Sequence, residues 1–190
     1  PGALAATFAR GADLPFVVHG VELSIGSASG WNAAYIDILD QLWSARRFAW
    51  HSEHLGFLLA PGDAPGELRY AGVPLPPPTT DEALQLVAPR AAALVERYPA
   101  PFLLENGVHY LPDLPGARDE VEFLNALTAL SGCDLLLDLS TYNKYFCFTA
   151  LRIFSDFLYK RIFCTIICQV IFRNVSRKDN RFICKKITFA

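Results

Sequence analysis

The chain has 190 residues and a formal net charge of -2. That length suits one domain with a sizeable core, and the near-neutral charge excludes the electrostatic footprint of a nucleic-acid or anionic-membrane binder. No Met occurs anywhere and the chain starts Pro1-Gly2-Ala3, which reads as the cut edge of a fragment; the apolar stretch 4–8 is too short for a signal-peptide h-region.

In chain order, residues 7–11 read as the end of a helix. Leu14-Pro15-Phe16-Val17-Val18 follows as a strand, β-branched and aromatic after a turn, and it runs out in His19-Gly20. Residues 21–25 alternate apolar and polar side chains, and residues 26–30 form a Gly/Ser loop. Residues 32–44 are an amphipathic helix, with Tyr35, Ile38 or Leu39, Leu42 and Trp43 at helical spacing. A second strand over 47–54 exits in Ser52-Glu53-His54. Residues 58–78 are dense in Gly and Pro and read as a loop, too long for a plain connection and therefore functional or disordered.

Thr79 and Glu82 have capping-box spacing and open a helix whose apolar face is Leu84, Val87, Ala91, Leu94 and Tyr98; Pro89 is expected to kink it. Phe102-Leu103-Leu104 is a third strand, stopped by Glu105-Asn106. A helix over 119–131 ends at Gly132, and Cys133 to Asp138 is a fourth strand that again ends in a carboxylate. Short apolar runs closed by polar residues, alternating with helices, are the mark of a parallel sheet built from βαβ units. The exits stand roughly 35 residues apart, with one longer gap, which suits about four βα units of a (β/α)8 TIM-type barrel.

Composition changes near Lys144. All 12 Gly and all 13 Pro precede it, and 4 of the 5 Cys follow it. The first set of residues is encoded by GC-rich codons and much of the second by AT-rich ones. The chain accordingly divides into a partial barrel domain over 1–145 and an atypical apolar tail over 146–190. The tail reads as a frameshift or gene-model product, because it has no turn punctuation; the alternative is a genuine second segment. Its uncharged run, 162–172, is 11 residues, short of the roughly 20 that span a bilayer. Cys164 and Cys168 have no second pair with which to form a zinc site. The odd cysteine count without a secretory signal favours reduced thiols and a cytoplasmic setting.

His19, His54, Glu105 and Asp138 stand at the exits of four successive parallel strands, which converge on one face of a barrel. Imidazole with carboxylate oxygen is a ligand set for iron, manganese or zinc, so these four are the candidate metal ligands. His51 competes with His54; three apart on a strand, they face opposite sides. His109 receives no role. No phosphate-binding loop and no nucleophile elbow is present.

Four segments then resemble one family: Val18-His19-Gly20-Val21-Glu22-Leu23-Ser24-Ile25-Gly26, Ser52-Glu53-His54-Leu55-Gly56-Phe57, Leu103-Leu104-Glu105-Asn106 and Leu135-Leu136-Leu137-Asp138-Leu139. They are similar to the multinuclear non-haem iron-dependent oxidases, long catalogued only as a bacterial domain of unknown function. Pro74-Leu75-Pro76 followed by Thr80-Asp81-Glu82-Ala83-Leu84 fits the same pattern, and the likeness covers residues 10–145. The resemblance implies a TIM-type barrel related to xylose isomerase, holding two or three irons. It implies oxidation of cysteine-containing or other residues in a ribosomally made precursor peptide, often with a separate peptide-recognition protein; the charge and the short apolar run already argue against nucleic acid or a membrane as partner. The ligands it carries over are His19, His54, Glu105 and Asp138, with Glu105 able to bridge two ions.

Ser140-Thr141 stand where the family has Asn, and Asn143 is displaced. The family's first strand has no counterpart upstream. All 4 His precede residue 110, so the second half of the family's ligand shell has no counterpart here, and the chain as written is expected to be inactive. Two other readings stay open: a metal-dependent isomerase or endonuclease-like barrel that polarises substrate oxygens with its ions, and a non-catalytic truncated remnant or peptide-binding module that kept part of a barrel.

Overall fold

The computed structural model describes residues 8–9, 11, 13–64, 67–107, 114–138 and 185–187. The elements are β1 (Phe16–Gly20), α1 (Ala33–Ala45), β2 (His51–His54), β3 (Phe57–Pro61), β4 (Leu68–Leu75), α2 (Asp81–Arg97), β5 (Phe102–Glu105), α3 (Glu120–Ser131), β6 (Asp134–Leu136) and β7 (Lys185–Ile187). Five strands form one sheet in the order β6-β5-β2-β1-β7, and every pair in it is parallel. β1, β2, β5 and β6 are neighbours in chain order, with α1, α2 and α3 in the successive crossovers: a mixed α/β fold of repeated βαβ units.

Strand alternation sorts the sheet's residues. Phe16, Val18, Phe102 and Leu104 share one cluster with Tyr35, Leu39 and Leu42 of α1, Val87, Ala91 and Leu94 of α2, and Phe123, Leu124 and Leu127 of α3. The helices therefore cover that face. Leu39, Leu94, Leu104 and Leu127 are fully buried there, and each stabilises the fold by about 2 kcal/mol through loss of apolar surface to water. Val17, Leu103 and Leu136 are also buried but stand outside that cluster, on the opposite face.

The helices start and stop as their caps dictate. Asn32 accepts from the Tyr35 N–H at the head of α1, and Asp119 from the Val121 N–H at the head of α3. α3 closes on Gly132, whose φ of 73° is left-handed. The expected capping box of Thr79 with Glu82 does not form. Thr80 is the N-cap of α2 and accepts from Ala83 N–H, while buried Thr79 donates its hydroxyl to the Arg118 carbonyl at 2.8 Å. Asp81 and Glu82 sit in the first turn, where the helix dipole favours negative charge. Pro89 lies inside α2 on its exposed side, and the helix continues past it to Arg97.

The Gly/Pro-rich segment read as a loop contains an antiparallel hairpin. β3 pairs with β4 through Leu59↔Tyr70, Ala60↔Arg69 and Pro61↔Leu68. Proline is tolerated at strand ends, and Gly72 supplies a φ of 82° that breaks the usual alternation, so the sequence pattern hides the strands. The hairpin is stapled to the segment after β1. Ser24 Oγ accepts from the Leu58 and Leu59 N–H groups at 2.9 and 3.0 Å, and Ser27 Oγ donates to the Leu59 carbonyl at 2.7 Å. Arg90 reaches from α2 to the Ile25 and Ser27 carbonyls, both at 2.7 Å.

β7 pairs with β1 through Phe16↔Lys185, Val17↔Lys186 and Val18↔Ile187. Among the described residues the sheet thus has β6 and β7 at its two edges. The other expectations for the tail, including Cys164 and Cys168, fall outside the described residues, as does His109.

Candidate metal centre

His19 is the penultimate residue of β1, while His54 and Glu105 are the last residues of β2 and β5. The register sets His54 beside Glu105 and His19 beside Ser52. In parallel strands, residues in register or two apart lie on one face, so all four side chains are on the face away from the helices. His19 Nε2 lies 3.0 Å from Glu105 Oε2, and His54 Nε2 lies 3.5 Å from the same oxygen. The two imidazoles meet edge to face, their centroids 5.0 Å apart. His19 and Glu105 are buried and His54 is half-buried.

One ligand atom from each of His19, His54 and Glu105 falls within 4.8 Å of the others, so the three could hold one metal ion. Two imidazole nitrogens and one carboxylate oxygen are a donor set suited to iron, manganese or zinc. The residues present therefore fit a divalent transition metal.

Asp138 is not one of the three. It lies two residues beyond β6, tied through its backbone to Asn106: the Asp138 N–H donates to Asn106 Oδ1 at 2.7 Å, and Asn106 Nδ2 donates to the Asp138 carbonyl at 3.4 Å. Asn106 N–H also donates to the Leu136 carbonyl at 3.4 Å. This buried amide therefore clamps the exits of β5 and β6 together, a role that its place directly after the β5 carboxylate did not reveal.

β2 carries a second polar cluster on its other face. His51 Nε2 and Glu53 Oε1 are 2.8 Å apart, and both residues are essentially without exposure, at 1% and 0%. His51 packs against Tyr98 and Phe102, with centroids at 5.7 and 5.1 Å. Tyr35 of α1 lies against the Glu53 carboxylate; burial first, and then that carboxylate, push its phenol pKa far above the ordinary range, so Tyr35 stays protonated. His51 is thus assigned to the helix-covered face and His54 to the candidate centre. Sequence reading missed Glu53 and Ser52. The signal was present in the four-residue alternation His-Ser-Glu-His, which must send Glu53 with His51 and Ser52 with His54.

No helix among the described residues is long and apolar enough to cross a membrane. Residues 3–149 match the family described as the RiPP precursor modification enzyme MbnB/TglH/ChrH, RiPPs being ribosomally made, modified peptides. A UPF0276 protein of Anaeromyxobacter sp. (strain Fw109-5) is 37% identical over 128 residues, 67% of this chain and 43% of the relative. A UPF0276 protein of Caulobacter vibrioides (strain NA1000 / CB15N) is 34% identical over 126 residues, 66% of this chain and 43% of the relative. One of Pasteurella multocida (strain Pm70) is 31% identical over 126 residues, 66% of this chain and 39% of the relative. The chain spans less than half the length of these curated relatives.

Proposed function

The chain belongs to the MbnB/TglH/ChrH family of RiPP precursor modification enzymes, and on that premise we propose that it contributes iron ligands to an oxidase that modifies a cysteine-containing, ribosomally made peptide. The observation that carries the reading is the convergence of His19, His54 and Glu105 at the ends of three neighbouring parallel strands. Chemistry at that end of a parallel sheet is the habit of α/β enzymes. In this reading β1, β2, β5 and β6 are one arc of a (β/α)8 barrel domain over residues 1–145, residues 146–190 are a separate tail whose β7 pairs with the edge of that arc, and a separate peptide-recognition protein presents the substrate.

His19 and His54 would hold iron through Nε2 and Glu105 through its carboxylate, with Asp138 serving a further ion. Bound iron supplies one-electron and dioxygen chemistry that no protein side chain offers. The chain's own part is to bind and orient. His19 and Glu105, being buried, keep water from their side of the centre, while half-buried His54 marks the side open to substrate. The Asn106 clamp fixes the β5 and β6 exits relative to one another.

The test is iron stoichiometry in the purified full chain, loaded with ferrous iron without oxygen and measured by elemental analysis. The wild type is expected to retain iron, and His54→Ala and Glu105→Ala to lose most of it. Unchanged iron in both variants would reject the site.

A further inference from the structure

Ser52 is wholly buried, sits directly beside His19 in the β1–β2 register, and places its Oγ 2.8 Å from His19 Nδ1. That is the ring nitrogen turned away from the cluster, for Nε2 faces Glu105. The same hydroxyl has a second partner, the Val18 carbonyl at 3.5 Å. On its other side in the register stands Leu103, buried and apolar. No other side chain is hydrogen-bonded to His19 Nδ1 among the described residues.

A serine hydroxyl carries one proton and two lone pairs, so it can donate to an imidazole nitrogen or accept from it. With the ring proton on Nε2, which stands 3.0 Å from Glu105 Oε2, Nδ1 needs a donor, and the Ser52 O–H supplies it. With a cation on Nε2, the ring proton resides on Nδ1, which needs an acceptor. Ser52 Oγ then accepts, and its own proton turns to the Val18 carbonyl. One residue thereby satisfies His19 in both states without moving the backbone. Metal-bound imidazoles commonly depend on such a partner at the far nitrogen, which fixes tautomer and ring orientation.

We propose that Ser52 is a positioning residue for the metal centre, a reversible hydroxyl that holds the His19 ring in place and stabilises its Nδ1–H tautomer when Nε2 takes a cation. The proposal rests on the reading of His19, His54 and Glu105 as ligands. Ser52→Ala leaves Nδ1 with no side-chain partner in a site closed to water. Ser52→Thr keeps the hydroxyl and suits a strand.

Two measurements on the full chain test it, with folding of each variant checked by circular dichroism. The first is ring-nitrogen NMR on the metal-free, ¹⁵N-labelled chain, with His19 identified by the signals lost in His19→Asn. Ser52→Ala is expected to shift the His19 ring nitrogens and Ser52→Thr to restore them; Ser52→Cys substitutes should threonine not fit. The second is a cobalt(II) titration followed by absorption. Ser52→Ala is expected to bind roughly 10–100-fold more weakly, with Ser52→Thr within about threefold of wild type. If Ser52→Ala changes neither the His19 signals nor cobalt affinity, or if Ser52→Thr fails in both as Ser52→Ala does, the proposal is overturned. If the wild type binds no cobalt while Ser52→Ala still moves the His19 signals, the metal reading fails and the hold of Ser52 on the ring stands. If cobalt binds equally to wild type and Ser52→Ala while His54→Ala abolishes binding, the metal reading stands and the role of Ser52 falls.

Discussion

Replacing Gly20 by alanine isolates the buried pair on the helix-covered face of the sheet. Gly20 does not have a left-handed φ, so the requirement there is space alone. A Cβ at this position would overlap Tyr35 Oη and both carboxylate oxygens of Glu53. Neither neighbour can swing into solvent, since Tyr35 is 3% exposed and Glu53 0%. Overpacking a filled core costs about 1–3 kcal/mol. Displacing Glu53 also strains its contact with His51, and outright loss of a buried pair costs about 3–5 kcal/mol. Partial displacement therefore places Gly20→Ala at about 3 kcal/mol of lost stability. Urea unfolding followed by tryptophan fluorescence should show a lower midpoint at unchanged slope. Because Oη is the atom nearest the added carbon, Tyr35→Phe in the Gly20→Ala background should recover about 1 kcal/mol, a coupling of the size expected between touching residues. Stability of Gly20→Ala within roughly 0.5 kcal/mol of wild type, the range of ordinary surface changes, would refute the reasoning.

Cys133 is buried and its thiol is pushed up to about 11, chiefly by burial. At pH 8 its alkylation in the native chain should be about 100-fold slower or more than in urea, mapped on the Cys133 peptide by mass; equal rates would contradict the assignment. Asp40 is held below the usual carboxylate range first by its hydrogen bond from Arg97 and also by the Tyr98 hydroxyl, with Arg97 Nε and Tyr98 Oη at 2.9 and 3.0 Å. A carboxyl depressed in the folded state stabilises above its unfolded value of about 3.9 and ceases to do so as pH falls through the folded value. Both groups are exposed, so Asp40→Asn should lower the Tm by about 2 °C or less at pH 7. That difference should vanish at the acid end, and one that persists undiminished at pH 2.5 would exclude the ionised carboxylate as its source.

The alternation of strands and helices was legible because β1 and β5 are short apolar runs that close in polar residues, and His19, His54 and Glu105 near the ends of β1, β2 and β5 are the three residues that meet. Helix boundaries came within a residue or two, since Asn32, Asp119 and Gly132 are unambiguous caps. The adjacent threonines before α2 were not separable by spacing. What decides between them is the Arg118 carbonyl, a tertiary partner that claims Thr79 and leaves Thr80 to the helix. The hairpin escaped because its strands have little core to alternate against: most of β4 is exposed, so no apolar period was imposed on its sequence. Asp138 looked equivalent to the other exits by position. In the structure it stands two residues beyond the end of β6, with its backbone tied to Asn106.

β2 shows why the site and the stability of this fold are coupled yet separable. Its four residues divide strictly between two environments: His51 and Glu53 lie against Tyr35, Tyr98 and Phe102, while Ser52 and His54 lie with His19 and Glu105. The backbone between them is fixed on both sides by parallel ladders to β1 and β5. A side chain on one face cannot slide along the strand without a register shift, and a shift of one residue would send Glu53 to the cluster and His54 under the helices. Glu53 has only a restricted place to go on the helix side, a place kept open by Gly20. The buried pair thus works against such a slip: in the shifted register its carboxylate would lose both His51 alignment and the space above Gly20. On this argument the buried His51–Glu53 pair acts as a register device, and the accuracy with which His54 meets Glu105 follows from the fit of Glu53 on the opposite face.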